Sequence, residues 1–245
     1  MSHWTDDAIA LSARKFGEND AILDLFTATK GRTSGIVYGG ASKSKRALLE
    51  PGSRLRVTWK ARNEEHLGFF EALEARSGGA SALMEDGAAL SALSCAASLL
   101  LAALPDRSPF VKLFEATEIM LDGLNDAKAW PALYVRWEMG LLAELGFGLD
   151  LATCALTGVD TDLAWVSPKS GRAASREAGA PFADKLLVLP PFLLGNLAQI
   201  DTGDIADGFA LTGHFMTREL FDPLRKALPD ARARLIFALG KSGRL

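Results

Sequence analysis

Cysteine is nearly absent from this chain of 245 residues, which has only Cys95 and Cys154. Two thiols cannot build a disulfide framework or a four-thiolate metal site, and a reducing compartment is the expected setting. Histidine is almost as scarce. His3, His66 and His214 lie far apart, and none sits in a nucleophile-elbow or H-E-x-x-H context, so each reads as a surface or hydrogen-bonded residue. Long apolar runs are missing too. The longest, about Cys95 to Leu104, is half of the roughly 20 residues that a membrane-spanning helix needs. The start, MSHWTDDAIALSARKF, carries acids where a signal peptide would carry an apolar core. The expectation is a soluble cytoplasmic protein that does not engage a membrane.

An excess of positive charge is also missing. Lys and Arg number 27 against 30 Asp and Glu, a net charge of −3, which taken whole argues against a polyanion as partner. Nothing in the bulk composition is unusual. With 49% hydrophobic residues, 23% charged, 23 Gly and 10 Pro, the chain can bury a sizeable core in one or two domains. It is neither fibrous nor wholly disordered.

What is present divides near residue 78. Before it, Trp4 to Leu11, Ala21 to Thr27, Arg32 to Tyr38, Arg54 to Arg62 and Leu67 to Ala75 are five runs of strand length separated by Gly, Asn, Lys and Pro-Gly punctuation. Thr29-Lys30-Gly31-Arg32 places a glycine where a short hairpin needs positive φ. Five strands in so short a segment predict a small barrel or compact sheet. From residue 79 to 245 the pattern becomes Ala- and Leu-rich at helical spacing. Helices are predicted over Ser81 to Leu104, from Pro109 to Leu124 and from Pro131 to Leu145, each later one with Pro near its first turn. Periodicity is lost between about 150 and 185, an irregular excursion. A short helix opens at Pro190-Pro191, and a last pair covers Thr212 to Leu228 and Asp230 to Leu239. The predicted class is α+β, with strands first and helices after.

The charge is distributed very unevenly. Residues 29 to 62 hold Lys30, Arg32, Lys43, Lys45, Arg46, Arg54, Arg56, Lys60 and Arg62 against Glu50 alone, whereas residues 63 to 215 carry 9 basic and 21 acidic side chains. Near-neutrality thus conceals a dense basic block within the strand-rich half. In Arg54-Leu55-Arg56-Val57-Thr58-Trp59-Lys60 alternation sends Leu55, Val57 and Trp59 to one face and the cations to the other. The loop Gly39-Gly40-Ala41-Ser42-Lys43-Ser44-Lys45-Arg46 adds mobile cations beside them. A polyanion held mainly through phosphates is the favoured ligand.

Other chemistry is weak. GGASKSK lacks the G-x-x-x-x-G-K-[ST] spacing of a nucleotide-hydrolysing loop. Asp201, Asp204 and Asp207 recur every three residues beside Gly203 and Gly208 and read as caps and turn residues rather than ligands. A single carboxylate and no histidine between residues 29 and 62 argue against a nuclease or other enzyme. Cys154-Ala155-Leu156-Thr157 keeps one thiol of a C-x-x-C pair, so no metal and no cofactor are expected.

The order of these pieces resembles the RecO family of bacterial recombination mediators. The resemblance rests on Trp4 to Leu11 leading to Gly17-Glu18-Asn19-Asp20, on Leu25-Phe26-Thr27 before Lys30-Gly31-Arg32, on Gly39-Gly40, and on Leu49-Glu50-Pro51-Gly52. It continues through Tyr134-Val135-Arg136-Trp137-Glu138, Leu145 to Leu151, Cys154 and Val166 to Arg172. The resemblance implies an OB-fold barrel over 1–78 and a helical domain over 79–245, and a non-enzymatic role in recombinational repair. It further implies binding of single- and double-stranded DNA, strand annealing, and work with RecR to load RecA onto DNA covered by single-strand binding protein, whose acidic tail is a docking partner. Many members hold zinc through four cysteines in the segment corresponding to Asp150 to Gly179, where this chain keeps only Cys154.

Two sites are expected on this basis. Lys30, Arg32, Lys43, Lys45, Arg46, Arg56, Lys60 and Arg62 would form the phosphate surface, and Arg218, Phe221, Arg225 and Lys226 would take an acidic peptide ending in an apolar residue. The competing class is a protein-interaction adaptor whose basic patch docks acidic protein tails alone.

Overall fold

The computed structural model describes residues 2–63, 66–77 and 83–245. Strands β1 (Ser2–Phe16), β2 (Asp20–Thr27), β3 (Gly31–Val37), β4 (Arg54–Ala61) and β5 (Phe69–Ser77) close in the order β1-β2-β3-β5-β4. β3 meets β5 in parallel at Ile36 and Phe69, while the other pairings are antiparallel. This is the Greek-key strand order of the OB-fold.

β1 explains the closure. Its first half, Ser2 to Ile9, pairs with β4, and its second, Ala8 to Phe16, pairs with β2, with a register shift between Ala10 and Ser12. A bulge bends and twists a strand, so one long strand serves two neighbours and leaves no open edge between them. The bend buries Ala8, Ile9, Ala10 and Leu11 in succession, which blurs alternation at Leu11, where the sequence ends the strand five residues early. β4 alternates as expected. Leu55, Val57, Trp59 and Ala61 point inward, joining Leu23, Leu25, Val37 and Phe70 in the barrel core. Gly31 has φ 68°, and a Cβ there would sit 2.1 Å from the Ser108 carbonyl oxygen, so both turn and packing require glycine.

By contact the chain divides into two compact units, Met1–Asn125 with Pro229–Leu235, and Asp126–Leu228 with Ile236–Leu245. The expected boundary at residues 78 and 79 lies outside the described residues, as does the start of the helix expected from Ser81. In the first unit the barrel is followed by α1 (Lys43–Arg46) in the β3–β4 connection, α2 (Gly87–Ala103) and α3 (Val111–Gly123). α2 begins where the Asp86 carboxylate accepts from Ala88 and Ala89 N–H at 3.0 and 3.1 Å. It buries Ala89, Ala92, Cys95, Leu99 and Leu100, and Cys95 is a core residue, as its apolar neighbours imply. Phe114 of α3 meets Phe26 of β2 edge to face, 5.4 Å between centroids.

The second unit contains α4 (Trp130–Glu144), β6 (Leu163–Val166), β7 (Ala173–Ser175), α5 (Arg176–Gly179), β8 (Leu187–Val188) and α6 (Thr202–Phe215); α7 spans Asp230–Lys241. The excursion over 150–185 is more regular than its sequence suggests, because β6 and β7 lie within it and β8 completes a three-stranded sheet in the order β7-β6-β8. Strands of two to four residues are too short for alternation to register. α6 starts at Thr202, ten residues before the expected helix. Asp201 and Asp204 form a capping box there, the capping role expected of them. Gly208, which weakens the helical pattern, lets α6 approach closely, since a Cβ would lie 2.9 Å from Val135 of α4.

Candidate nucleic-acid interface

Alternation turns the cations of the barrel outward, and the structure then separates them into two groups. Several face acids carried by other elements. Arg32 of β3 donates through Nε to the Leu104 carbonyl at 2.9 Å and pairs with Asp106 at 2.8 Å. Arg54 of β4, its side chain only 11% exposed, pairs with Asp122 at 2.7 Å and donates to the Glu118 carbonyl. Arg56 pairs with Asp7 at 2.8 Å, and that hydrogen bond raises its already high pKa. Lys60 meets Glu71 at 2.5 Å. Arg32 and Arg54 thereby tie β3 and β4 to the chain around α2 and α3, and Arg56 and Lys60 tie β4 to its neighbours. Neutralised in this way, they offer a polyanion little free charge.

The second group is free. Among the described residues, Lys30, Lys43, Lys45, Arg46 and Arg62 have no acidic partner, and all five are exposed. Lys43, Lys45 and Arg46 share the single turn of α1. Lys45 Nζ donates to the Tyr38 carbonyl at 2.7 Å, which fixes the turn beside an aromatic that is 56% exposed. Tyr38 leans on Phe69 with centroids 5.7 Å apart. Arg46 also lines a groove of about 560 Å³ with Arg14 and Lys15 of β1, where Glu18, Asp20 and Glu50 supply the opposite sign. Cations for phosphates beside aromatic rings for bases is the arrangement that single-strand binders use.

Sequence reasoning missed Lys15, Tyr38 and Phe69. Tyr38 had a signal, an aromatic placed directly before Gly39-Gly40. Lys15 was hidden among the acids of the first 28 residues.

Of the residues expected to take an acidic peptide, the apolar one is withdrawn from the surface. Phe221 is 1% exposed and belongs to the core. The Arg218 guanidinium is engaged by the Pro168 carbonyl and by Glu219, and His214 Nε2 lies 3.1 Å from the same carbonyl oxygen. Arg225, in the left-handed region at φ 53°, and Lys226 are exposed.

Within the segment 150–179, Cys154 is 1% exposed, its N–H donates to the Val159 carbonyl at 2.7 Å, and Ala155 N–H donates to Ala173 at 2.8 Å. Hydrogen bonds from the Thr157 hydroxyl and the Ser175 backbone lower the thiol pKa from 9.0 to about 6, against the opposing effect of burial. Among the described residues no group of His, Cys, Asp or Glu could hold a metal ion. One thiol beside two hydroxyls is not a zinc donor set. Hydrogen bonds and the β6–β7–β8 sheet hold the segment together.

The comparisons with known proteins agree with this architecture. The family model described as "Recombination protein O N terminal" matches residues 1–78, and "Recombination protein O C terminal" matches residues 84–227. The chain belongs to the RecO family. Among curated relatives named "DNA repair protein RecO", that of Phenylobacterium zucineum is 48% identical over 240 residues, 98% of either chain. That of Hyphomonas neptunium is 47% identical over 96% of this chain and 97% of its own. That of Rhodospirillum centenum is 49% identical over 95% and 93%. RecO membership places the protein in DNA repair and recombination. Among the described residues no helix is long and apolar enough to cross a membrane.

Proposed function

We propose that this protein is a non-catalytic DNA-binding recombination mediator, cytoplasmic and drawn to the nucleoid during repair. The observation that carries the proposal is the turn of α1, where Lys43, Lys45 and Arg46 stand without an acidic partner among the described residues, beside Tyr38 and Phe69 on an OB-type barrel. With Lys30 and Arg62 these cations neutralise phosphates of single- or double-stranded DNA, and neutralising two strands at once brings complementary strands together to anneal. Arg32, Arg56 and Lys60 contribute instead by fixing the barrel. RecR and the acidic tail of single-strand binding protein are the protein partners, with exposed Arg225 and Lys226 available to that tail and RecA loaded indirectly. The 1–78 barrel and the largely helical 79–245 remainder divide the work as DNA-binding and partner-binding parts.

The test measures oligonucleotide binding and strand annealing by the purified protein across a salt series. Saturable binding that weakens steeply with salt, with faster annealing, is the expected result. Weak, non-saturating binding to oligonucleotides combined with tight binding to acidic peptides would overturn the proposal and identify an adaptor.

A further inference from the structure

Lys30 and Tyr38 flank β3 at its opposite ends, eight residue steps or about 26 Å apart at about 3.3 Å per residue. At the Lys30 end, Trp4, Thr29, Lys30, Thr33, Trp59 and Arg107 line a cavity of about 230 Å³. Trp4 and Trp59 are register partners across β1 and β4, with centroids 5.4 Å apart and rings 18° from parallel. Trp59 is fixed. Its indole N–H lies 3.3 Å from both the Ser34 and Leu67 carbonyls, and Gly68 backs its ring so closely that a Cβ would fall 2.4 Å away. Trp4 is only half-buried, and so carries exposed ring surface on an immobile support.

The polar side of the cavity is held just as firmly. Arg107 adopts φ 58°, which is uncommon for a residue with a Cβ. Its N–H donates to the Arg32 carbonyl at 2.8 Å, its Nη2 donates to the His66 carbonyl at 2.9 Å, and its guanidinium lies 5.6 Å from the centroid of the Trp59 ring. Lys30 extends, exposed, from the β2–β3 turn with no acidic partner among the described residues. The buried acid nearby, Asp6, accepts from Asp7 N–H, Thr29 N–H and the Thr29 hydroxyl, so its oxygens are already satisfied. Arg107 follows α2 in the chain, more than seventy residues from Lys30, and no local sequence pattern announces the pairing.

We infer that this cavity receives one unpaired nucleobase, stacked on Trp4, with the adjoining phosphates on Lys30 and Arg107. The inference rests on the DNA-binding proposal and narrows it, because a duplex keeps its bases stacked inside and cannot present one without unpairing. The α1 cations hold phosphates of either form, and this cavity selects the single strand. Stacking of one base on an aromatic ring changes affinity by roughly 5- to 150-fold.

The experiment titrates oligothymidylate and a blunt duplex against wild type, Trp4→Leu, and the double variant Lys30→Gln with Arg107→Asn. Asn tolerates the left-handed backbone at position 107. Expected results are quenching of tryptophan fluorescence by oligothymidylate but not by duplex; for Trp4→Leu, a loss of about tenfold or more in oligothymidylate affinity with duplex affinity within about twofold of wild type; and for the double variant, which also removes the Lys30 phosphate contact, a clearly larger fold-loss on oligothymidylate than on duplex. Should Trp4→Leu fail to fold, the double variant decides the matter, since its side chains lie outside the barrel core. Equal losses on both DNAs, an unchanged single-strand preference, or quenching by an acidic peptide ending in Phe instead of oligothymidylate would overturn the inference while leaving the DNA-binding proposal standing. Wild type that binds neither DNA refutes that proposal itself.

Discussion

Neutralising α1 is the perturbation whose outcome the structure makes most quantitative. Of the eight cations expected at the phosphate surface, five (Lys30, Lys43, Lys45, Arg46 and Arg62) have no acidic partner among the described residues, and each phosphate neutralised on a single strand contributes about −0.7 to the slope of log K against log salt, so these five should contribute about −3.5. Lys43→Gln, Lys45→Gln and Arg46→Gln together remove three of the five, leaving about −1.4. Between 50 and 200 mM salt, the five should therefore account for a loss of about 130-fold in affinity, and the two left in the triple variant for about 7-fold. The assay is fluorescence anisotropy with a labelled oligonucleotide at four or five salt concentrations. A companion variant, Arg56→Gln with Lys60→Gln, should leave the slope in place, because Asp7 and Glu71 already occupy those cations. A triple variant with the wild-type slope, or a companion that flattens it, would refute the division into free and engaged cations.

Three further outcomes follow from packing and titration. Asp24, whose carboxylate accepts from Ser12 at 2.6 Å, Arg14 at 2.9 Å and Ser34 at 2.5 Å, should cost about 2–4 kcal/mol when replaced by Ala, read from urea unfolding at constant m. Gly31→Ala combines a left-handed residue with a collision against the Ser108 carbonyl and should destabilise by about 3 kcal/mol or more, visible as a lowered Tm. Cys154 binds its proton less tightly when folded, with its pKa lowered from 9.0 to about 6. Its stabilisation is therefore full above pH 9 and lost as pH falls through 6. The Tm difference between wild type and Cys154→Ala should shrink from pH 9 to pH 6 beyond what the lost side-chain volume explains, and a difference independent of pH would contradict the hydrogen bonds from Thr157 and Ser175.

The barrel was legible because its strands are long enough for alternation to show, most clearly in β4, where every second residue from Leu55 to Ala61 is buried. The bulge of β1 was not. A shift of one residue at Ala10 arises from pairing with two different neighbours, which local sequence does not encode. The basic block was correctly located as a run of residues, but its division was invisible, since Asp106 and Asp122 pair with Arg32 and Arg54 across about seventy positions. Phe221 illustrates the same limit. An aromatic beside cations reads as a docking residue until the backbone turns it into the core. The early start of α6 was obscured by Gly203, Gly208 and Gly213, residues that weaken helical propensity.

The ion pairs of Arg32 and Arg54 carry a consequence for the chain as it is synthesised. Ribosomal synthesis delivers the five strands by Ser77, whereas Asp106 and Asp122 follow roughly thirty and forty-five residues later. A nascent barrel would therefore hold two more uncompensated guanidinium groups than the mature one, on the side that α2 and α3 later cover. The carboxylates of that later segment act as an internal shield, withdrawing those positions from any nearby polyanion and leaving the cations of α1 exposed for the finished protein to use.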